Sequence, residues 1–284
     1  VTTQLLSTCL GTFPRVATNL STPLRCAACF TLLAAAPLAT HAQSDEDLAK
    51  KLSNPVAALI SVPFQFNYDR KIGSDDGHKT YMNFQPVVPM SLNAEWNVIS
   101  RTIVPVVSQT DVVPGSSQSG LGDTTQSFFF SPKAPGPGGL IWGVGPVLLL
   151  PTGTEPELSA RKWGAGPTAV VLKQDGAWTF GALANHIWGG GGVQSRPPVS
   201  STFIQPFLSY TTKDAWTYTL NSESTYDWRN KDWQVPVNAL VTKLIKVGDQ
   251  RISLGGGVRY WAVNTDSGPH GWGFRLVATL LFPE

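Results

Sequence analysis

Acid–base and nucleophilic chemistry at neutral pH draws mostly on histidine, cysteine or a primed serine. This chain offers little of either kind, with four histidines and three cysteines in 284 residues. His41 lies in an N-terminal segment laid out like a leader, and His78 and His270 fall in segments read as loops. His186, near the end of a strand-like run, is the one histidine placed to act as the base of a lipid hydrolase. No Gly-x-Ser-x-Gly accompanies it, and a polar residue at lipid-headgroup level fits it better. Asp75-Asp76-Gly77-His78 has the residue types of a metal cluster, but between Arg70 and Lys79 it reads as a solvated turn. The Cys26-x-x-Cys29 spacing suggests redox or zinc chemistry, yet it sits inside an apolar run. The glycine stretches Gly189 to Gly192 and Gly255 to Gly257 open no helix, so neither is a phosphate cradle. The first is expected to be a flexible loop, and the second to give a strand curvature or leave lumen space. The chain is therefore read as a non-enzyme, with no catalytic residues, metal ligands or cofactor.

A second, non-covalent chemistry is better represented. Gln65 and Asn67, Asn83 and Gln85, Arg101, Asn221 and Glu223, Arg259, and Arg275 each sit in a strand-like run whose opposite parity is apolar. Alternate side chains of a strand point to opposite faces, so these nine residues share a face if the runs close on themselves. The last run shows the pattern most plainly. Trp272, Phe274, Leu276, Ala278, Leu280 and Phe282 make one face, and Gly273, Arg275, Val277, Thr279 and Leu281 the other. A strand between lipid and a wet interior has that character.

The elements that must carry these residues number twelve. The runs are 58–69, 80–90, 95–107, 123–131, 140–150, 164–173, 177–188, 202–212, 215–228, 233–245, 251–263 and 272–282. Connections alternate between tight and long. Residues 91–94, 174–176, 213–214 and 246–250 are tight, whereas 70–79, 108–122, 151–163, 189–201 and 264–271 are longer. That alternation is expected of an antiparallel up-and-down transmembrane β-barrel with tight turns on the periplasmic side and loops outside. An even strand count puts both termini in the periplasm. Trp142, Trp163, Trp178, Trp188, Trp216, Trp228, Trp233, Trp261 and Trp272 fall mostly near strand ends, as interfacial girdles do. A soluble β-sandwich would also show many strands, but it needs neither the turn asymmetry nor the girdles. Strands 251–263, 272–282 and 58–69 become neighbours on closure, so Arg259, Arg275, Gln65 and Asn67 should share one wall, with Glu223 two strands away. Twelve strands at the usual spacing and tilt give a backbone diameter of roughly 24 Å, room for a narrow path.

Composition agrees. Charged residues are 14% of the chain, against about 25% in soluble domains, and a net charge of +2 argues against nucleic acid. Residues 1–42 have the layout of a cleaved secretion signal: an apolar run, Cys26 to Ala39, behind Arg15 and Arg25, then Thr40-His41-Ala42. All three cysteines fall within it. Residues 43–57 hold one short helix, Ser44 to Ser53, started by Ser44 with Asp47 and stopped by Asn54-Pro55. It is expected at the periplasmic mouth, in or against the lumen, as a possible plug. Residues 58–284 form the barrel.

Three stretches resemble one family. They are Asn54-Pro55-Val56-Ala57-Ala58-Leu59-Ile60-Ser61-Val62-Pro63-Phe64-Gln65, then Gly120-Leu121-Gly122-Asp123-Thr124-Thr125-Gln126-Ser127-Phe128-Phe129-Phe130-Ser131-Pro132, then Gln205-Pro206-Phe207-Leu208-Ser209-Tyr210. In this order they resemble the bacterial outer-membrane family called "putative MetA-pathway of phenol degradation", often labelled transporters or, misleadingly, neuromedin U. The resemblance spans the whole chain after the leader. It implies a transporter-like barrel loosely tied to uptake of aromatic or other hydrophobic compounds, and supplies no binding residues. The expected function is passive passage of a small, aromatic or hydrophobic solute across the outer membrane, along the nine inward residues. The expected partners are outer-membrane lipid, the barrel-assembly machinery and that solute, with no nucleic acid. A structural or surface-interaction barrel with a filled lumen is the alternative, and a lipid hydrolase resting on His186 the third reading.

Overall fold

The computed structural model describes residues 44–283. The expected leader, with its cysteines and His41, lies outside them. Among the described residues one short α-helix precedes a chain of strands, broken by two single 3-10 turns at Pro137–Gly139 and Pro156–Leu158. Helix α1 (Asp45–Leu52) starts at Ser44, whose hydroxyl accepts the Asp47 amide at 3.1 Å and donates to the Asp47 carboxylate at 2.7 Å. Three acids in its first turn and Lys50 and Lys51 in its last favour the helix dipole.

Fifteen strands follow: β1 (Ile60–Ile72), β2 (Gly77–Phe84), β3 (Val87–Ser91), β4 (Trp96–Thr110), β5 (Ser117–Leu121), β6 (Thr124–Pro132), β7 (Leu140–Leu150) and β8 (Lys162–Asp175). Then come β9 (Trp178–Gly192), β10 (Val199–Thr211), β11 (Trp216–Ser222), β12 (Ser224–Asp227), β13 (Asp232–Val247), β14 (Gln250–Val263) and β15 (Gly271–Phe282). They form one closed antiparallel barrel of twelve staves, three of which are interrupted: β2–β3, β5–β6 and β11–β12. Closure runs through β15 and β1, in register from Ile60 opposite Phe282 to Tyr68 opposite Phe274.

Proline explains the interruptions, because it brings no donor to the ladder. Ser222 faces Val237 and Thr225 faces Gln234, which leaves Glu223 facing Pro236. On its other side, Phe207 opposite Asn221 and Ile204 opposite Ser224 put Pro206 against Ser222. Glu223 thus sits in a gap in the ladder with no change of register. Pro86 separates β2 from β3 in the same way, and Val87 keeps the register against Arg101.

The parity rule holds around the barrel. On β15 Phe274 and Leu276 are 56% and 64% exposed while Arg275 between them is 2%, so on this strand the apolar face is outside and the polar face within; β4, β6, β8 and β9 turn apolar residues inward as well. Trp163, Trp178, Trp188, Trp216, Trp228, Trp233 and Trp272 are exposed on the outer face. Trp261 corrects the girdle: it shares the parity of Arg259 and points inward, its indole nitrogen donating to Asp69 at 3.0 Å. The glycines of β14 let the strand lie close against the backbone of β13. A β-carbon on Gly257 would lie 1.9 Å from the Ala239 carbonyl oxygen, and one on Gly255 2.1 Å from that of Val241.

At one end lie the start of β1, the end of β15 and the tight turns, at the other most of the longer connections. Several of those are shorter than the sequence suggests, because the strands run on. Asp69 still pairs Lys79, and Arg70 pairs His78, so the β1–β2 turn is only residues 73–76 and His78 is a strand residue. The β4–β5 turn contracts to 111–116. Gly189 to Gly192, expected as a flexible loop, is the end of β9, with Gly189 opposite both Gly164 and Val199. Local sequence does not show that a neighbouring strand continues the ladder, and glycine gives no β signal of its own.

Inside, α1 closes the end where β1 begins and β15 stops. Leu48 and Ala49 pack with Ala57 and Leu59 against Ala215, Leu244 and Leu281. The chain from Asn54 then crosses to the far wall, where Val56 packs on Ile99, Phe129, Val170, Leu172 and Leu183. Two polar ties hold the helix: Arg251 donates to the Asp45 carboxylate at 3.0 Å, and Gln174 to the Lys50 carbonyl at 2.9 Å.

Candidate functional site

Parity sends four acid and base side chains into the loop-end half of the barrel, and they meet there. Arg275 donates from both terminal nitrogens to Glu223, at 2.8 and 2.7 Å, and from Nε to Asn67 at 2.7 Å. Arg259 donates to the same Glu223 at 2.7 Å, to Asp69 at 3.3 Å, to Asn238 at 2.9 Å and to the Tyr81 hydroxyl. The Trp261 ring lies 5.2 Å from the Arg259 guanidinium. Asn238 passes the network on, donating to Asn221 at 2.8 Å.

Two cations face two anions, so the group is formally neutral. Buried charges persist only when paired and hydrogen-bonded, and this set meets that condition. Arg259, Arg275, Asp69, Asn67 and Asn238 are all at most 3% exposed. The gap at Glu223 helps, because the carboxylate sits where the prolines have opened the ladder.

Of the nine residues expected to line a path, the structure gathers Asn67, Glu223, Arg259 and Arg275 directly, and Asn221 through Asn238. Arg101 and Gln85 form a separate pair, Nη2 to Oε1 at 3.0 Å. Gln65 and Asn83 share the inward parity and face each other across β1 and β2, but stand outside the bonded group. Sequence reasoning left out Asp69, Tyr81, Asn238 and Trp261. Asp69 shares the inward parity of Asn67, Tyr81 that of Asn83 and Trp261 that of Arg259, so their signal lies in the sequence; Asn238 is on a strand with no other candidate, and its pairing with Arg259 brings it in.

Below the network, between it and α1, lies a chamber of about 260 Å³. Arg101, Asn221 and Phe207 line it from the barrel, and Leu52 and Ala57 from the N-terminal segment. The interior is therefore two-sided: a polar network on β1, β2 and β11 to β15, an apolar wall on β4, β6, β8 and β9.

The loop end is tied down by Asp123. Its carboxylate accepts the Gly153 amide at 3.1 Å and the Ala160 amide at 2.7 Å, so both ends of connection 151–161 are pinned. Thr124 donates its amide to the Thr152 hydroxyl at 2.9 Å. A β-carbon at Gly120 would meet Thr154 Oγ1 at 2.0 Å. The Gly120 to Thr124 stretch thus builds a seat for the loop.

His186 lies apart from all of this. It has the outward parity of Trp188, bonds Thr202 through Nδ1 at 2.7 Å, and packs at a tilt against Trp188 with ring centres 4.1 Å apart. Trp228 donates to the same Thr202 hydroxyl at 2.8 Å. That is a polar knot within an aromatic belt.

Three comparisons bear on this geometry. The model of the family described as "Putative MetA-pathway of phenol degradation" matches residues 72–276. Among solved structures, an outer membrane channel from Pseudomonas putida F1 superposes with a TM-score of 0.62 at 15% identity, over 79% of this chain and 96% of its own. Outer membrane phospholipase A from Escherichia coli gives a TM-score of 0.47 at 8% identity, over 80% of this chain and 98% of its own, too low to carry a relationship. A search of curated proteins finds no match.

Proposed function

The chain belongs to the family described as "Putative MetA-pathway of phenol degradation", and on that premise we propose that it is an outer-membrane channel for passive passage of a small aromatic or hydrophobic solute. The observation that carries this reading is the chamber inside the barrel. A solid barrel would fill its lumen from wall to wall, whereas this one keeps a chamber between the charged network and α1. The chamber offers an amphipathic solute apolar surface from Leu52, Val87, Phe207 and Val277, and Gln85, Arg101 and Asn221 to orient it. The likeness to the Pseudomonas putida barrel, itself described as an outer membrane channel, supports the same reading. In the membrane the termini and tight turns face the periplasm, and connection 151–161 faces outward.

In this reading two closures flank the chamber: α1 on the periplasmic side, and the network with its tethered loop on the other. The test is single-channel conductance of the protein in a planar bilayer, with aromatic solutes added to one side. Steady conductance that such a solute blocks is the expected result. A folded barrel that passes no current, with or without residues 44–57, would replace the channel by a filled, structural barrel.

A further inference from the structure

We propose that the chamber binds a small organic anion, a carboxylate on a single aromatic ring, with Arg101 as its anchor. The inference rests on the channel reading and narrows its solute class. Arg101 and Lys51 are the charged residues lining the chamber, and no acid lines it. Among the described residues neither cation has a carboxylate within 4 Å. Arg101 differs in this from the other two inward arginines at mid-barrel. Arg259 and Arg275 are saturated by Glu223 and Asp69, whereas the hydrogen bond made by the Arg101 side chain goes to neutral Gln85.

A guanidinium carries five donors in a planar fork that matches a carboxylate bidentately. With one of them on Gln85, the rest of the fork is open to a ligand. No carboxylate touches Arg101, which feels Glu223 only at a distance, and in a confined chamber an anion still gains from the charge. The remaining lining suits an aromatic body. Phe207 and Val277 present apolar surface, and Thr219 and Ser61 present hydroxyls that can donate or accept. The volume, about 260 Å³, is just below the range of roughly 300–1,000 Å³ typical of ligand pockets, and suits a single ring. A neutral phenol would fit the space without using the charge, and an amine would meet two cations. The chemistry therefore selects the acid over the alcohol and the amine of the same size.

Titration calorimetry on the detergent-solubilised full chain tests this, with benzoate, benzyl alcohol and benzylamine as probes. Benzoate should bind about tenfold or more tightly than benzyl alcohol, the worth of one charged hydrogen-bonded contact, and benzylamine should not bind. Arg101→Gln should abolish the preference for benzoate. Equal affinity for benzoate and benzyl alcohol, no benzoate binding, or an unchanged preference in Arg101→Gln would overturn the proposal. If that variant does not fold, Phe207→Trp decides: it narrows the chamber and should weaken benzoate, and undiminished binding would overturn the site. Conductance measured on the same preparation separates the two readings. Benzoate binding without conductance would uphold the site and remove the channel, and conductance without a preference for benzoate would do the reverse.

Discussion

Glu223 and Arg275, fifty-two positions apart in the chain, meet in a two-pronged ion pair of 2.8 and 2.7 Å inside the barrel. Arg259 shares the same carboxylate at 2.7 Å. One acid therefore serves two arginines from neighbouring strands, and Asp69 supplies the second negative charge.

Removing that acid should be costly. Glu223→Gln leaves two buried arginines with Asp69 alone, and loss of one partner from a buried pair typically costs about 3–5 kcal/mol. Urea unfolding of the barrel in lipid vesicles should show a loss of that order. A change below about 1 kcal/mol would mean that water reaches the arginines and that the network is not a dry closure.

The network should also limit flow. Replacing Asp69, Glu223, Arg259 and Arg275 together by alanine keeps the group neutral and removes its bulk. Single-channel conductance should then rise, and rise further when residues 44–57 are also deleted. Equal conductance in parent and variants would place the constriction elsewhere.

Helix α1 is held chiefly by packing, with Leu48 wholly buried and the Asp45 to Arg251 pair partly open to solvent. Leu48→Asp should release the helix and increase the open fraction, because it puts a charge into an apolar contact. Arg251→Ala should do much less, as an exposed ion pair is worth about 0–1 kcal/mol. Open-channel lifetimes of the two variants check this ordering.

Asp123→Ala removes the acceptor that pins residues 153 and 160, and connection 151–161 should loosen while the barrel stays folded. Limited proteolysis of intact cells should cut there in the variant and spare the parent protein. Equal resistance would show that the threonine contacts hold the loop unaided.

Gly257→Ala should impair assembly, since its β-carbon would fall 1.9 Å from the Ala239 carbonyl oxygen. Overpacking of this kind costs about 1–3 kcal/mol or more. Gly190→Ala, whose β-carbon meets nothing within 4 Å, is the control. The fraction of heat-resistant folded barrel measures both.

Much of the architecture was legible in the amino-acid order. All twelve staves, the helix with its Ser44 cap and the inward parity of nine polar residues follow from alternation and turn chemistry, which act over a few neighbours. Strand ends were less legible: β1 and β9 run past their apparent limits because a partner strand continues the ladder. Parity alone could name the faces but not the meetings. That Glu223 would serve Arg259 and Arg275, that Asp69 and Trp261 would join them, and that Arg101 would be left beside Gln85 depended on barrel closure, strand stagger and the proline gap at Glu223. Those distances are set by contacts between residues far apart in the chain, and only the closed barrel supplies them.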